Sequence, residues 1–225
     1  MCFSATSDFV AAAALAPVAI IALRAAPTRR DLPIAALPAF FAAHQGIEGF
    51  VWLGAGGKIG ASGFEWAIFF YLLIAQVILP ALVPIGIWLV EDHPVRRRLQ
   101  LIPVACGVII AAWLGHLLVV SDYHAHAVDG AMVYKTNAHI GEWVIAGYLI
   151  ATCGAVLLCS ERYLFWYGIA NVIGLAIAST VRYEAVLSIW CFYAARVSGL
   201  VVLHLRRRAE IERGRVVPRG FLRLE

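Results

Sequence analysis

The chain has 225 residues, 62% of them hydrophobic and only 14% charged, with a mean hydropathy of +0.83. Soluble domains run near half apolar and a quarter charged, so a soluble globular domain, a nucleic-acid module, a disulfide scaffold, a coiled coil and a disordered regulator are excluded. The net charge of +4 reads as membrane topology with some attraction to anionic lipid, and no nucleic-acid partner is implied.

A membrane span needs about 20 apolar residues to cross roughly 30 Å of hydrocarbon. Seven runs qualify in chain order: Ala5–Leu23, Leu32–Leu53, Phe64–Val90, Leu99–Val120, Ala138–Cys159, Tyr163–Val181 and Tyr183–Leu205. The alternating short segments of a β-barrel are missing. The expected fold is therefore all-α, a polytopic bundle of seven transmembrane helices over residues 1–205 with a basic tail over 206–225. The tightest joint lies between the last two spans, at Val181-Arg182-Tyr183. Pro80 and Pro84 remove backbone donors from the third span and predict a kink there. The residues Gly54–Gly63 form a flexible loop, and Ser121–Asn137 a longer loop carrying His124, His126 and Asp129.

Basic residues alternate by side. Fourteen of the 18 Lys and Arg follow the odd-numbered spans, among them Arg24, Arg29, Arg30, Arg96–Arg98, Arg162 and Arg206–Arg208; only Lys58, Lys135 and Arg182 lie on the other side, and Arg196 is within a span. The positive-inside rule then puts the N-terminus outside and the tail in the cytoplasm of a bacterial cytoplasmic membrane. Arg24 to Arg30 come after the first apolar run, not before it, so that run reads as a retained anchor, not a cleaved signal. Four cysteines, Cys106, Cys153, Cys159 and Cys191, fall within spans, and Cys2 lies alone at the outer surface, so no disulfide framework is expected.

Ionisable residues within spans carry the functional information, because each costs about 2.5–3.5 kcal/mol at mid-membrane on insertion scales. Asp8, Glu48, Glu65, His116, His139, Glu142 and Glu184 fall in the outer half, whereas the inner half holds only Arg196 and His204. At 1.5 Å per residue, Glu48 and Glu142 lie roughly 7 Å deep, His116 about 6 Å, His139 about 3 Å and His44 about 13 Å. His44 and Glu48 are four apart and His139 and Glu142 three apart, so each pair shares a helix face. Two acids at one depth call for a cation or a shared proton. Glu48, His116, His139 and Glu142 are thus expected to point into the bundle as ligands of a transition metal such as Zn, Fe or Mn, with His44 and Cys2 as secondary ligands. If Met1 is removed, Cys2 would present an amine and a thiol together. The competing reading is a hydrogen-bond network that glues helices. Ser4, Thr6 and Asp8 read as N-cap residues. Trp52, Trp66 and Trp143 read as an aromatic belt. With both lysines in loops, a retinal Schiff base within a span is excluded.

Met1-Cys-Phe-Ser-Ala-Thr6, Gln45-Gly-Ile-Glu-Gly-Phe-Val-Trp52, and Ser188-Ile-Trp-Cys-Phe-Tyr-Ala-Ala195 followed by His204 resemble an uncharacterised bacterial integral-membrane family. Its members open with Met-Cys-Phe-Ser-Ala and carry Gln-x-x-Glu-Gly-x-x-Trp in the second span. The resemblance implies that Glu48 and Trp52 belong to a shared pattern, and that His44 stands where members often have Gln. It implies no activity. Three functions stay open: a metal-dependent membrane enzyme acting on a lipid or small apolar substrate, a scaffold or accessory subunit among other membrane subunits, and a transporter. The nearly empty inner half argues against the last.

Overall fold

The computed structural model describes residues 4–181 and 183–214. Helix α1 covers Ala5–Ala25, α2 Arg29–Ala55, α3 Ala61–Val90 and α4 Pro94–Val120. A two-stranded hairpin, β1 (Tyr123–Val128) and β2 (Ala131–Thr136), leads to α5 (Glu142–Leu157), α6 (Arg162–Val181), α7 (Val186–Val197) and α8 (Gly199–Glu212). Among the described residues the protein is mostly helical, with this one small sheet, and six helical stretches are long and apolar enough to cross a membrane; Ser188–Glu212, which takes in most of α7 and all of α8, is one of them.

The expected fifth span, Ala138–Cys159, is shorter than the sequence suggests. It begins at Glu142 behind Gly141 and ends at Leu157, about 24 Å at 1.5 Å per residue. The hairpin consumes residues on one side, and on the other Ser160 is captured by Glu91. The Val181–Tyr183 joint is a short connection into a 3-10 turn at Tyr183–Ala185; Arg182 lies outside the described residues, as do Cys2 and the tail from Arg215.

The longer loop is a correction. The residues 123–136 form an antiparallel hairpin in the register Tyr123↔Thr136 to Val128↔Ala131. Asp129 and Gly130 at its tip have φ of 45° and 75°, the left-handed pair that a two-residue turn requires and that Asp-Gly supplies. Ala125 and Met132 pack with Tyr71, Leu72 and Leu118 of the bundle, so the hairpin is seated on the helices.

Helix packing follows inward stripes at helical spacing. In α1 the buried positions are Asp8, Leu15, Ala19 and Ala22. In α2 they include Phe41, His44, Gln45, Glu48, Gly49 and Val51. Gly49 lets the two helices close up, since a Cβ there would lie 2.7 Å from the Phe9 ring. The kink expected at Pro80 takes a definite form: Leu73–Ile78 is a π-helical turn. Pro80 has no N–H for the carbonyl of Gln76, and the ladder slips. The Tyr148 hydroxyl of α5 donates to the carbonyl of Ala75 within that turn at 2.7 Å. Gly107 of α4 passes so close to the Pro80 carbonyl that a Cβ would collide with it.

The two ends of the bundle differ. Arg24, Arg29, Arg96–Arg98 and Arg206–Arg208 gather where α1, α3, α5 and α8 end; the hairpin covers the opposite end. The half toward the arginine end is filled by a large apolar core including Leu37, Phe41, Leu79, Val83, Ile87 and Leu205.

Candidate functional site

The four residues expected to hold a metal do not converge. Glu48 is buried, at 1% exposure, but His116, His139 and Glu142 are exposed. Helix azimuth explains the difference. Helix α4 buries Ile110, Ala111, Leu114 and Leu118, and His116 lies about 200° round from Leu114. Glu142 sits in the first turn of α5, an acid at a helix N-terminus, while Val144 two positions on is the buried residue. Glu65 and Glu184 are exposed as well. Among the described residues no group of three or more His, Cys, Asp or Glu side chains is placed to hold a metal ion, so the residues present do not fit that centre.

What surrounds Glu48 instead is a set of phenols, amides and a second acid. Its neighbour Gln45, one turn earlier, directs Nε2 at Glu48 Oε2 from 3.5 Å. The hydroxyls of Ser188 (α7), Tyr71 (α3) and Tyr134 (β2) face the carboxyl, and Asp8 is close enough for its charge to act on it. His44 stacks on the Tyr71 ring with centroids 3.9 Å apart, and Tyr71 stacks on Tyr134 at 4.4 Å. Asp8, His44, Gln45 and Glu48 are all at 1% exposure or less. Burial pushes the Tyr134 phenol well above its ordinary value, with the charge of Glu48 adding to the effect, so Tyr134 is held as a hydrogen-bond donor. Cys191 of α7 also lies within electrostatic reach of Glu48.

This set is only loosely closed. Glu48 Oε1, Asp8 Oδ2, Gln45 Oε1, both His44 ring nitrogens and the Tyr71 and Tyr134 hydroxyl oxygens are buried without a hydrogen-bond partner of good geometry. Among the described residues no cation pairs with Asp8 or Glu48.

Ser4, not Asp8, caps α1, in a reciprocal box with Ser7, and Asp8 turns inward on the stripe of Leu15, Ala19 and Ala22. Trp52 likewise faces Asp8, whereas Trp66 and Trp143 are exposed, at 56% and 54%. His44 and Glu48 do share one buried face. The expectation of a nearly empty second half holds within the spans but not at their ends. There Arg208 pairs with Asp31 at 2.9 Å and Asp92 at 3.2 Å, His204 meets Glu161 at 3.5 Å, and Glu91 accepts from Ser160 N at 2.7 Å, Ser160 Oγ at 2.6 Å and His93 N at 2.9 Å. Asp31 and Glu91 are buried and Asp92 is exposed; through Arg208 and His204, α8 is tied to Asp31, Asp92 and Glu161.

Gln45, Glu48 and Gly49 are thus buried on neighbouring turns of α2, Trp52 is half-buried, and Ser188 and Cys191 of α7 are buried. The chain belongs to the family of unknown function DUF6629. The family model matches residues 1–216, the spans and the site together. Comparison with curated proteins and with solved structures gives no match.

Proposed function

We propose that the protein is a membrane enzyme that performs acid–base chemistry with Glu48 on a lipid or small apolar molecule. The observation that carries this is the contrast between the two ends. Both bury carboxyls. At the arginine end Asp31 has the Arg208 guanidinium against it, Glu161 has His204 and Glu91 accepts from Ser160, although Asp31 Oδ1, Arg208 Nε and the His204 nitrogens also lack a hydrogen bond of good geometry. The difference is that, among the described residues, Asp8 and Glu48 have no cation. Around Glu48 the donors are assembled but not closed, and a half-satisfied buried network is costly unless something else uses it.

In this reading the Glu48 carboxylate takes a proton from the bound molecule, and the Tyr71 and Tyr134 hydroxyls hold the negative charge left behind. Asp8, backed by Trp52, is the second carboxyl to which that proton passes. The apolar core beneath His44, including Phe41, Leu79 and Val83, separates the site from the arginine end and favours chemistry at one side over passage through the bundle.

The topology belongs to the same proposal. Helix α5 completes the seven spans: it starts beside the hairpin and ends at Leu157, three residues before Ser160, which is bonded to Glu91 at the other end. The arginine end is cytoplasmic and the hairpin faces outside, supported by the distribution of Lys and Arg.

The test is to incubate the protein in nanodiscs with a total membrane lipid extract and to compare the extract by mass spectrometry. The wild type is expected to convert a component that Glu48→Gln leaves unchanged. An extract untouched by the wild type would favour a scaffold or accessory role in a larger assembly.

A further inference from the structure

A groove of about 180 Å³ opens on the side of the bundle between α4, α5, α6 and α7. It is lined by apolar side chains, Leu114, Val144, Leu175 and Trp190 among them, together with Gln76 and Tyr148. The groove lies at the level of the spans, where acyl chains are the solvent. It is smaller than the roughly 300–1,000 Å³ of a pocket for a whole drug-sized ligand, so it suits one narrow chain.

Gln76 belongs to the π-helical turn before Pro80, and its Oε1 is buried with no hydrogen-bond partner. An orphaned amide oxygen lining an apolar groove selects an occupant that brings its own donor. Tyr148 is committed to Ala75, and Trp190 donates to the Asn171 carbonyl at 3.1 Å, so neither can satisfy Gln76. The Tyr148 and Trp190 rings meet edge to face at 6.0 Å. Both also line a small inner cavity of about 40 Å³ that Cys191 shares, and Cys191 lies within electrostatic reach of Glu48.

We propose that this groove seats the alkyl chain of a membrane-resident alcohol, with the hydroxyl bonded to Gln76 on the way to the Glu48 site. The inference deepens the reading of Glu48 as the acting group and rests on it for its purpose, but the binding itself is testable alone.

The probe is dodecanol carrying a photoactivatable diazirine at its far end, added to the full chain in detergent, with adducts mapped by peptide mass spectrometry. Adducts should concentrate on the peptides of Val144, Leu175 and Trp190. Unlabelled dodecanol should compete at about two- to tenfold lower concentration than dodecane, the value of one buried neutral hydrogen bond. Gln76→Leu should bring the two competitors together, and Leu175→Trp, checked for an unchanged melting temperature, should remove groove adducts while leaving those on exposed Val119. Labelling spread evenly over exposed positions such as Ile20, Ile109 and Val119, or equal competition by dodecane in the wild type, overturns the proposal. So does a groove found crosslinked to a second chain. The Glu48→Gln variant is labelled in parallel: intact groove labelling in the variant with no conversion by the wild type refutes the chemistry and not the groove.

Discussion

Tyr71 of α3 and Tyr134 of β2 lie face to face, with ring centroids 4.4 Å apart and planes 6° from parallel. One ring comes from a helix in the bundle and the other from the hairpin, and both hydroxyls face Glu48. The hairpin therefore supplies a wall of the site as well as a lid over it.

Tyr134→Ala removes that wall. Loss of the stacked ring should cost roughly 2–4 kcal/mol and expose Glu48 to solvent. Thermal unfolding in detergent measures the first effect, and proton exchange at the hairpin amides the second. Tyr134→Phe keeps the stack and removes only the donor, so its stability should stay close to wild type while conversion of substrate falls.

Glu48→Gln retains shape and hydrogen-bonding capacity in a site that has no cation among the described residues. Its melting temperature is expected to stay level or rise slightly, because a buried ionisable group is replaced by a neutral one. A fall of many degrees would mean that Glu48 is a structural member of the bundle.

The Arg208 clamp should behave in the opposite way. Asp31 is fully buried against Arg208, so Arg208→Met leaves an acid with no cation and should cost about 3–5 kcal/mol. Adding Asp31→Asn should recover much of this. A double variant no more stable than the single would show that the pair is not the source of the loss.

Glu161 sets a pH dependence at the arginine end. Burial pushes its carboxyl up, but the hydrogen bond and charge of His204, with Arg208 and Arg207 behind, outweigh that and hold it below its ordinary value of 4.5. A carboxyl depressed in the folded state contributes stability above its unfolded value and loses it as the pH falls through the folded one. The melting temperature should therefore drop as pH falls below 4.5, and Glu161→Gln should flatten that limb. An identical acid limb in the variant would assign it to other acids.

The helices were legible in the sequence because apolar length alone marks them, and the Pro80 distortion because a missing N–H has one consequence. The shared buried face of His44 and Glu48 was legible too, since a spacing of four residues fixes it on a helix. Azimuth was not, because α4 is apolar all round and its sequence does not announce which face is buried; His116 was lost for that reason. The inward turn of Asp8 could have been found from its spacing to Leu15, Ala19 and Ala22, and the hairpin from Asp129-Gly130. Tyr71, Tyr134 and Ser188 could not, as their approach to Glu48 joins three elements far apart in the chain.

The most direct test of Glu48 as a proton-exchanging centre is infrared difference spectroscopy of the protein in nanodiscs during a pH titration. A carbonyl band of a protonated, buried carboxylic acid should grow in as the pH is lowered and vanish in Glu48→Gln, with its frequency shifted in Tyr134→Phe. Difference spectra identical between the wild type and Glu48→Gln would contradict the account.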